Sequence, residues 1–241
     1  MKKVIFTMTA ALMISSVQAK EGFEYNSATI EYRQEATVKS VVDKYIKAAG
    51  GLERVSAIKN MQMTMETEIQ GMKLIVKSVT DQENNRLLNV TEMNGDQVAK
   101  TIIKDGKGKI ISMGQEQALT EDQLKTMKSQ TYVFPELYYE DLGYTVTYAG
   151  LEEEEGVKSH KLLIEDGNGT ETYEYYSEET GLKIKTVSEL AGTIEYLNYE
   201  EREGLMIPTK MVISNSMMPM PMEAFIQTVK FNQELTDEMF E

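Results

Sequence analysis

The sequence predicts a mainly β (α+β) fold: one curved antiparallel sheet of about 11–12 strands with helices packed on its concave side. Three observations predict it. From residue 61 onward, apolar and polar residues alternate with a period of two in short segments. Tight-turn dipeptides such as Asn94-Gly95 and Asp105-Gly106 separate those segments. No strand–helix–strand rhythm and no linker-like stretch divides the run, so a single sheet is the economical arrangement.

The chain opens with Met1-Lys2-Lys3, an apolar run over residues 4–14 broken by Thr7 and Thr9, and the short residues 15–19. That order predicts a signal peptide, 1–19, cut after about Ala19. The apolar run is too short to span a bilayer, so the mature chain is expected to be soluble and periplasmic. Residues 20–35 form a polar arm or a first edge strand, and residues 36–241 the folded domain. Val38, Val41, Val42, Tyr45, Ile46 and Ala49 make one helical stripe, with Thr37 able to cap it and Gly50-Gly51 to stop it. Leu52, Val55 and Ile58 suggest a short second helix.

Five meander strands are then expected near 61–69, 72–80, 87–93, 98–103 and 109–113. Thr120 with Gln123 reads as a capping box, and Leu119 with Leu124 as a hydrophobic staple, giving a helix over about 121–128. Pro135 at a first helical position and Gly143 after the last suggest another over 135–142, in the densest aromatic stretch of the chain. Strands resume at 144–149, 157–165, 172–176, 182–189, 193–199, 207–213 and 224–231, with 152–156 expected as an acidic turn.

Composition narrows the function. The net charge of −14 and only four arginines exclude a nucleic-acid or anionic-lipid surface, because phosphate neutralisation needs clustered cations. With no cysteine, the fold stands without disulfides and carries no acyl-anchoring residue after the signal peptide. His160 is the single histidine, expected on a solvent-facing strand position, which excludes the usual zinc sets. Asp105-Gly106-Lys107-Gly108 and Asp166-Gly167-Asn168-Gly169 match neither a P-loop nor a calcium loop. No nucleophile elbow is present, so no catalytic residue, metal or cofactor is assigned.

Several segments together resemble the lipoprotein-carrier superfamily of LolA/LolB-like proteins. They are Ala48-Ala49-Gly50-Gly51-Leu52-Glu53-Arg54-Val55, then Tyr148-Ala149-Gly150-Leu151 with Gly156-Val157-Lys158-Ser159-His160-Lys161-Leu162. Glu174-Tyr175-Tyr176 with Glu179-Thr180-Gly181-Leu182 follows, then residues 199–202 with Gly204-Leu205-Met206-Ile207-Pro208, and the ending over 235–240. The resemblance covers nearly all of the mature chain. It implies an incomplete β-barrel with a helical lid and an apolar concave cavity able to hold acyl chains. Two departures stand out: the chain has no tryptophan, and the family's partner-facing basic residues have no counterpart here.

Fourteen methionines lie beyond residue 19, in two alternating triads: Met61, Met63, Met65 and Met218, Met220, Met222. Each triad reads as a soft lining for a lipid pocket or as a thioether site for Cu(I), the alternative being core packing for the first and no specific role for the second. The prolines at 219 and 221 place the second triad at an edge or loop. The candidate ligand-binding set is therefore Met61, Met63, Met65, Leu74, Leu124, Met127, Phe134, Leu142, Met218, Met220 and Met222. Leu124, Met127, Phe134 and Leu142 are expected to form a movable cover facing the first triad. The expected function is a non-enzymatic carrier or sensor for lipid or lipoprotein acyl chains, monomeric, with inner- or outer-membrane envelope proteins as candidate partners. The alternative is a ligand-free structural or interaction module of the cell envelope.

Overall fold

The computed structural model describes residues 36–69, 71–189, 191–216 and 220–241. The expected signal peptide, the arm over 20–35 and Met218 lie outside the described residues. Thirteen strands form one antiparallel sheet in the order β6-β5-β4-β3-β2-β1-β13-β12-β11-β10-β9-β8-β7. They are β1 (Asn60–Ile69), β2 (Met72–Asp81), β3 (Arg86–Met93), β4 (Asp96–Lys104), β5 (Lys107–Ser112), β6 (Gln115–Ala118) and β7 (Thr145–Glu154). The others are β8 (Val157–Glu165), β9 (Glu171–Ser177), β10 (Lys183–Ser188), β11 (Gly192–Arg202), β12 (Leu205–Ser214) and β13 (Met222–Phe231). Every neighbouring pair but one is consecutive in the chain. The exception is β1 with β13, which joins the two halves, while among the described residues β6 and β7 are the edge strands and the sheet does not close into a barrel.

The strand count exceeds expectation because of β6. Gln115, Glu116, Gln117 and Ala118 are all exposed and carry no alternation, so only pairing with β5 defines the strand. The acidic run behaves differently from the turn expected of it. Glu152 and Glu153 continue β7, opposite Ser159 and Lys158, and the turn tightens onto Glu155-Gly156. At Asn94-Gly95 both residues have positive φ, 53° and 92°, the conformation a two-residue hairpin with the strand twist requires.

Helix α1 (Val38–Ala49) starts at a capping box between Thr37 and Ser40 and lies against β7 and β12. Its Val41, Tyr45, Ile46 and Ala49 are buried with Leu162, Tyr176, Leu205, Ile207, Ile226 and Phe231. The main core is thus one helix plugging one side of the sheet's inner face. Helix α2 (Leu52–Ser56) adds Val55. A second, smaller core sits on the opposite face of the sheet. There the C-terminal Leu235, Met239 and Phe240 cover Val79, Leu88 and Ile102.

Residues 119–144 run between the edge strands β6 and β7. Helix α3 (Glu121–Met127) starts at the Thr120/Gln123 capping box and continues into a 3-10 turn, Lys128–Thr131. The helix expected over 135–142 is broken into a 3-10 turn, Pro135–Leu137, and a single α-turn, α4 (Tyr139–Leu142), ended by Gly143 at φ 75°. Gly108 seats the segment on β5. A Cβ there would lie 2.5 Å from Leu119 Cδ1 and 2.8 Å from Leu124 Cδ2. Gly108→Val is therefore expected to lift α3 from the sheet and destabilise the protein by about 1–3 kcal/mol. A urea titration with limited proteolysis across 119–131 checks this; unchanged cleavage would mean that the seat is not needed.

Candidate functional site

The segment over residues 119–144 is a bridge with several anchor points. Leu124 rests over Gly108. Thr80 donates to the Gln130 carbonyl at 3.3 Å, and Gln82 donates to the Tyr138 hydroxyl at 2.8 Å while accepting from the Val133 N–H at 3.3 Å. Farther along, Glu136 on the Pro135–Leu137 turn is ion-paired with Lys183 at the start of β10.

That pair is part of a buried polar cluster. Lys183 Nζ donates to Glu174 Oε1 at 2.7 Å and lies 5.8 Å from the Tyr45 ring centroid and 5.5 Å from that of Tyr176. Glu174 Oε2 accepts from Tyr139 at 2.6 Å and from Tyr176. Tyr199 donates to the Lys183 carbonyl at 2.7 Å. Glu136, Glu174 and Lys183 are 5%, 8% and 8% exposed, so the ammonium and both carboxylates have left bulk water. Burial pushes the Glu136 carboxyl up; Lys183 draws it down and Glu174 repels it further. Burial also opposes ionisation of Glu174, but Lys183 and the donated hydrogen bonds hold it below the usual carboxylate range. Burial works against the Lys183 ammonium, yet the two carboxylates raise its pKa well above the ordinary lysine value. Glu136 Oε2 is buried with no hydrogen-bond partner among the described residues.

Beside this cluster, between the bridge and strands β8 to β11, lies a cavity of about 510 Å³. Ten of its eighteen lining side chains carry a hydroxyl: Thr126, Ser129, Tyr132, Tyr139, Tyr144, Thr170, Thr172, Thr186, Ser188 and Tyr196. Asp166, Glu174 and Lys183 supply its charges. A neighbouring cavity of about 560 Å³ shares Thr126 and Thr170 with it and is lined by Ile110, Leu119 and Met127. Nothing in the sequence pattern assembled this polar set. The one signal was Glu136, a lone acid within the aromatic stretch of residues 132–139.

The expected ligand-binding residues fall into four places. Met61 and Met63 are half-buried against the main core, and Phe134 is inside it, 6.4 Å from Tyr45 between ring centroids. Leu124 and Met127 are half-buried and Leu142 is buried, all on the bridge. Met220 is 73% exposed at the hairpin before β13. Met65, Leu74 and Met222 stand on the inner face, half-buried and outside the main core. Strand register ties them to apolar neighbours, because opposed residues share a face. Met65 opposes Val76, Leu74 opposes Met93, and Met222 opposes Ile213, which opposes Ile194. The last row continues through Thr186 to Glu174. His160 is half-buried rather than solvent-facing. It shares the inner face with Leu162, and its Nδ1 lies 3.2 Å from the Tyr148 hydroxyl.

No family model matches the sequence, and no curated protein matches it. Solved structures do share the fold. A LolA superfamily protein from Nitrosomonas europaea aligns at 12% identity with TM-score 0.58, covering 86% of this chain and 98% of its own. A DUF1329 family protein from Desulfovibrio piger aligns at 10% identity and TM-score 0.56, covering 85% and 97%. A domain from Vibrio parahaemolyticus named for outer membrane lipoprotein sorting aligns at 13% and 0.52, covering 83% and 97%. The chain has the LolA-like fold that its sequence segments resemble.

Proposed function

We propose that this chain is a non-enzymatic carrier or sensor of the periplasm. In this reading it shields acyl chains, free or attached to a lipoprotein, against the inner face of its open sheet. One observation carries the reading: the strip of Met65, Leu74, Val76, Met93, Ile213 and Met222, apolar side chains on one face that stay half-buried outside the main core. Apolar surface left open inside a concave sheet marks a ligand groove. Methionine suits such a groove, since its unbranched thioether adapts to a flexible chain. The bridge over residues 119–144 then acts as the cover, and the signal-like residues 1–19 support export. The ligand-free envelope module is the second reading, favoured by α1 filling one side of the inner face.

Native mass spectrometry of protein purified without detergent, with titration of a fluorescent fatty acid, tests the carrier reading. Co-purifying lipid or saturable fatty-acid binding is expected. Leu74→Asp should weaken that binding at least about tenfold, because a chain contact would then desolvate a carboxylate. Absence of both lipid and fatty-acid binding would leave the module reading standing.

A further inference from the structure

We infer that the cavity beneath the bridge binds a neutral polyhydroxylated group, a sugar ring either free or carried as the head of a lipid. The inference rests on the carrier reading only for where an acyl chain would lie. Ten of the eighteen lining residues carry a hydroxyl set in apolar surface, and a hydroxyl both donates and accepts, as each hydroxyl of a sugar also does. The charges of the lining point away from an anionic ligand. Lys183 is its cation, and it is engaged by Glu136 and Glu174. Asp166 Oδ1 accepts from the backbone N–H groups of Asn168 and Thr170, both at 2.8 Å, and adds negative charge. A phosphate or carboxylate would meet two acids and a cation already neutralised. Tyr132 and Tyr144, both half-buried in the lining, add aromatic rings, a surface that packs well against the apolar side of a sugar ring. The volume lies within the ordinary range of small-ligand pockets.

Register connects this cavity to the apolar strip. Thr186 and Ile194, both in the lining, share one cross-strand row with Ile213 and Met222. Thr186 Oγ1 also lies 3.2 Å from the Tyr196 hydroxyl. A ligand with its sugar at Thr186 and Tyr196 would run its chain along the row, away from the buried charges. A glycolipid therefore fits both halves of the surface, and a free sugar only the cavity.

Isothermal titration of the full chain with four probes tests this: octyl glucoside below its micelle concentration, methyl glucoside, octanoate and octylammonium. Octyl glucoside is expected to bind tightest of the four. Tyr196→Phe with Thr186→Val keeps ring and volume but removes two hydroxyls, and should weaken octyl glucoside about tenfold. Octanoate should change less than about twofold. Ser188→Ala, a smaller change in the same lining, should weaken the glucoside in the same direction if the double variant folds poorly. Octanoate or octylammonium binding tighter than the glucoside, or glucoside binding that ignores all these variants, overturns the inference and leaves the carrier reading intact. Methyl glucoside binding that responds to the variants, with no probe gaining from its chain, keeps the inference and removes the carrier reading. No binding by any probe overturns both.

Discussion

Replacing Lys183 with methionine is expected to cost roughly 3–5 kcal/mol of stability, the usual penalty for breaking a buried ion pair from one side. Methionine keeps most of the lysine stem, so lost packing contributes little. What remains is two buried carboxylates, Glu136 and Glu174, with no ammonium between them. The pH dependence identifies the cause. In the native protein Glu174 is held below the usual carboxylate range, so its stabilising contribution is present above the unfolded pKa of about 4.3 and fades as pH falls through the folded value. Without Lys183, burial and mutual repulsion raise both carboxyls. A raised carboxyl leaves stability intact below the unfolded pKa and removes it as pH climbs through the folded one. The gap between Lys183→Met and the parent should therefore be smallest near pH 4 and grow toward pH 8 in urea titrations. A gap that is flat with pH would assign Lys183 to packing alone. Glu136→Gln should be far milder, because it leaves one ammonium facing one carboxylate.

Much of the architecture was legible because it is local. The helix over 38–49 is written in a single apolar stripe between Thr37 and Gly50, and both ends fall where those residues stand. Thr120 and Gln123 specify α3 within four residues. Hairpin turns announce themselves through Asn-Gly and Asp-Gly pairs. What escaped was fixed by pairing or by assembly. β6 is a polar edge whose only definition is its partner. β9 carries tyrosine on both faces, so Tyr173 and Tyr175 hide the inward phase of Thr172, Glu174 and Tyr176. Glu174 and Lys183 meet across the paired strands β9 and β10, and Glu136, distant in the chain, joins them only because the bridge crosses from one sheet edge to the other. Each taken singly resembles an ordinary surface charge. The resemblance of the flanking segments gave the open-barrel shape, and the polar cavity exists only once the bridge and strands β8 to β11 are assembled.

Arg86→Leu is the other substitution with a large expected effect, again about 3–5 kcal/mol. Arg86 is 7% exposed at the start of β3 and lies opposite Asp81, which is 2% exposed at the end of β2. Its Nε donates to Asp81 Oδ2 at 2.7 Å, and a second nitrogen lies 2.6 Å from the same oxygen. Both nitrogens converge on that one oxygen, a charge-assisted contact between two buried groups. The third arm reaches Asp237 at 2.6 Å, but that carboxylate is 79% exposed and adds little in water. The guanidinium carbon also stands 4.3 Å from the Phe240 ring centroid. One arginine thus holds both the β2–β3 turn and the C-terminal segment that covers Val79, Leu88 and Ile102. Leucine would strand Asp81 with Asn84 as its one remaining donor among the described residues, at 3.0 and 3.3 Å, and would unfasten the tail. Hydrogen exchange over 235–241 should rise well before global unfolding, and the three covered side chains should become accessible to a hydrophobic dye. Adding Asp81→Leu should restore most of the lost stability, since two apolar residues leave no buried charge behind. It should not restore protection of the tail, whose anchor is still missing. If the single variant loses less than about 1 kcal/mol, or the tail stays protected in the double variant, the apolar contacts of Leu235, Met239 and Phe240 hold the segment without Arg86.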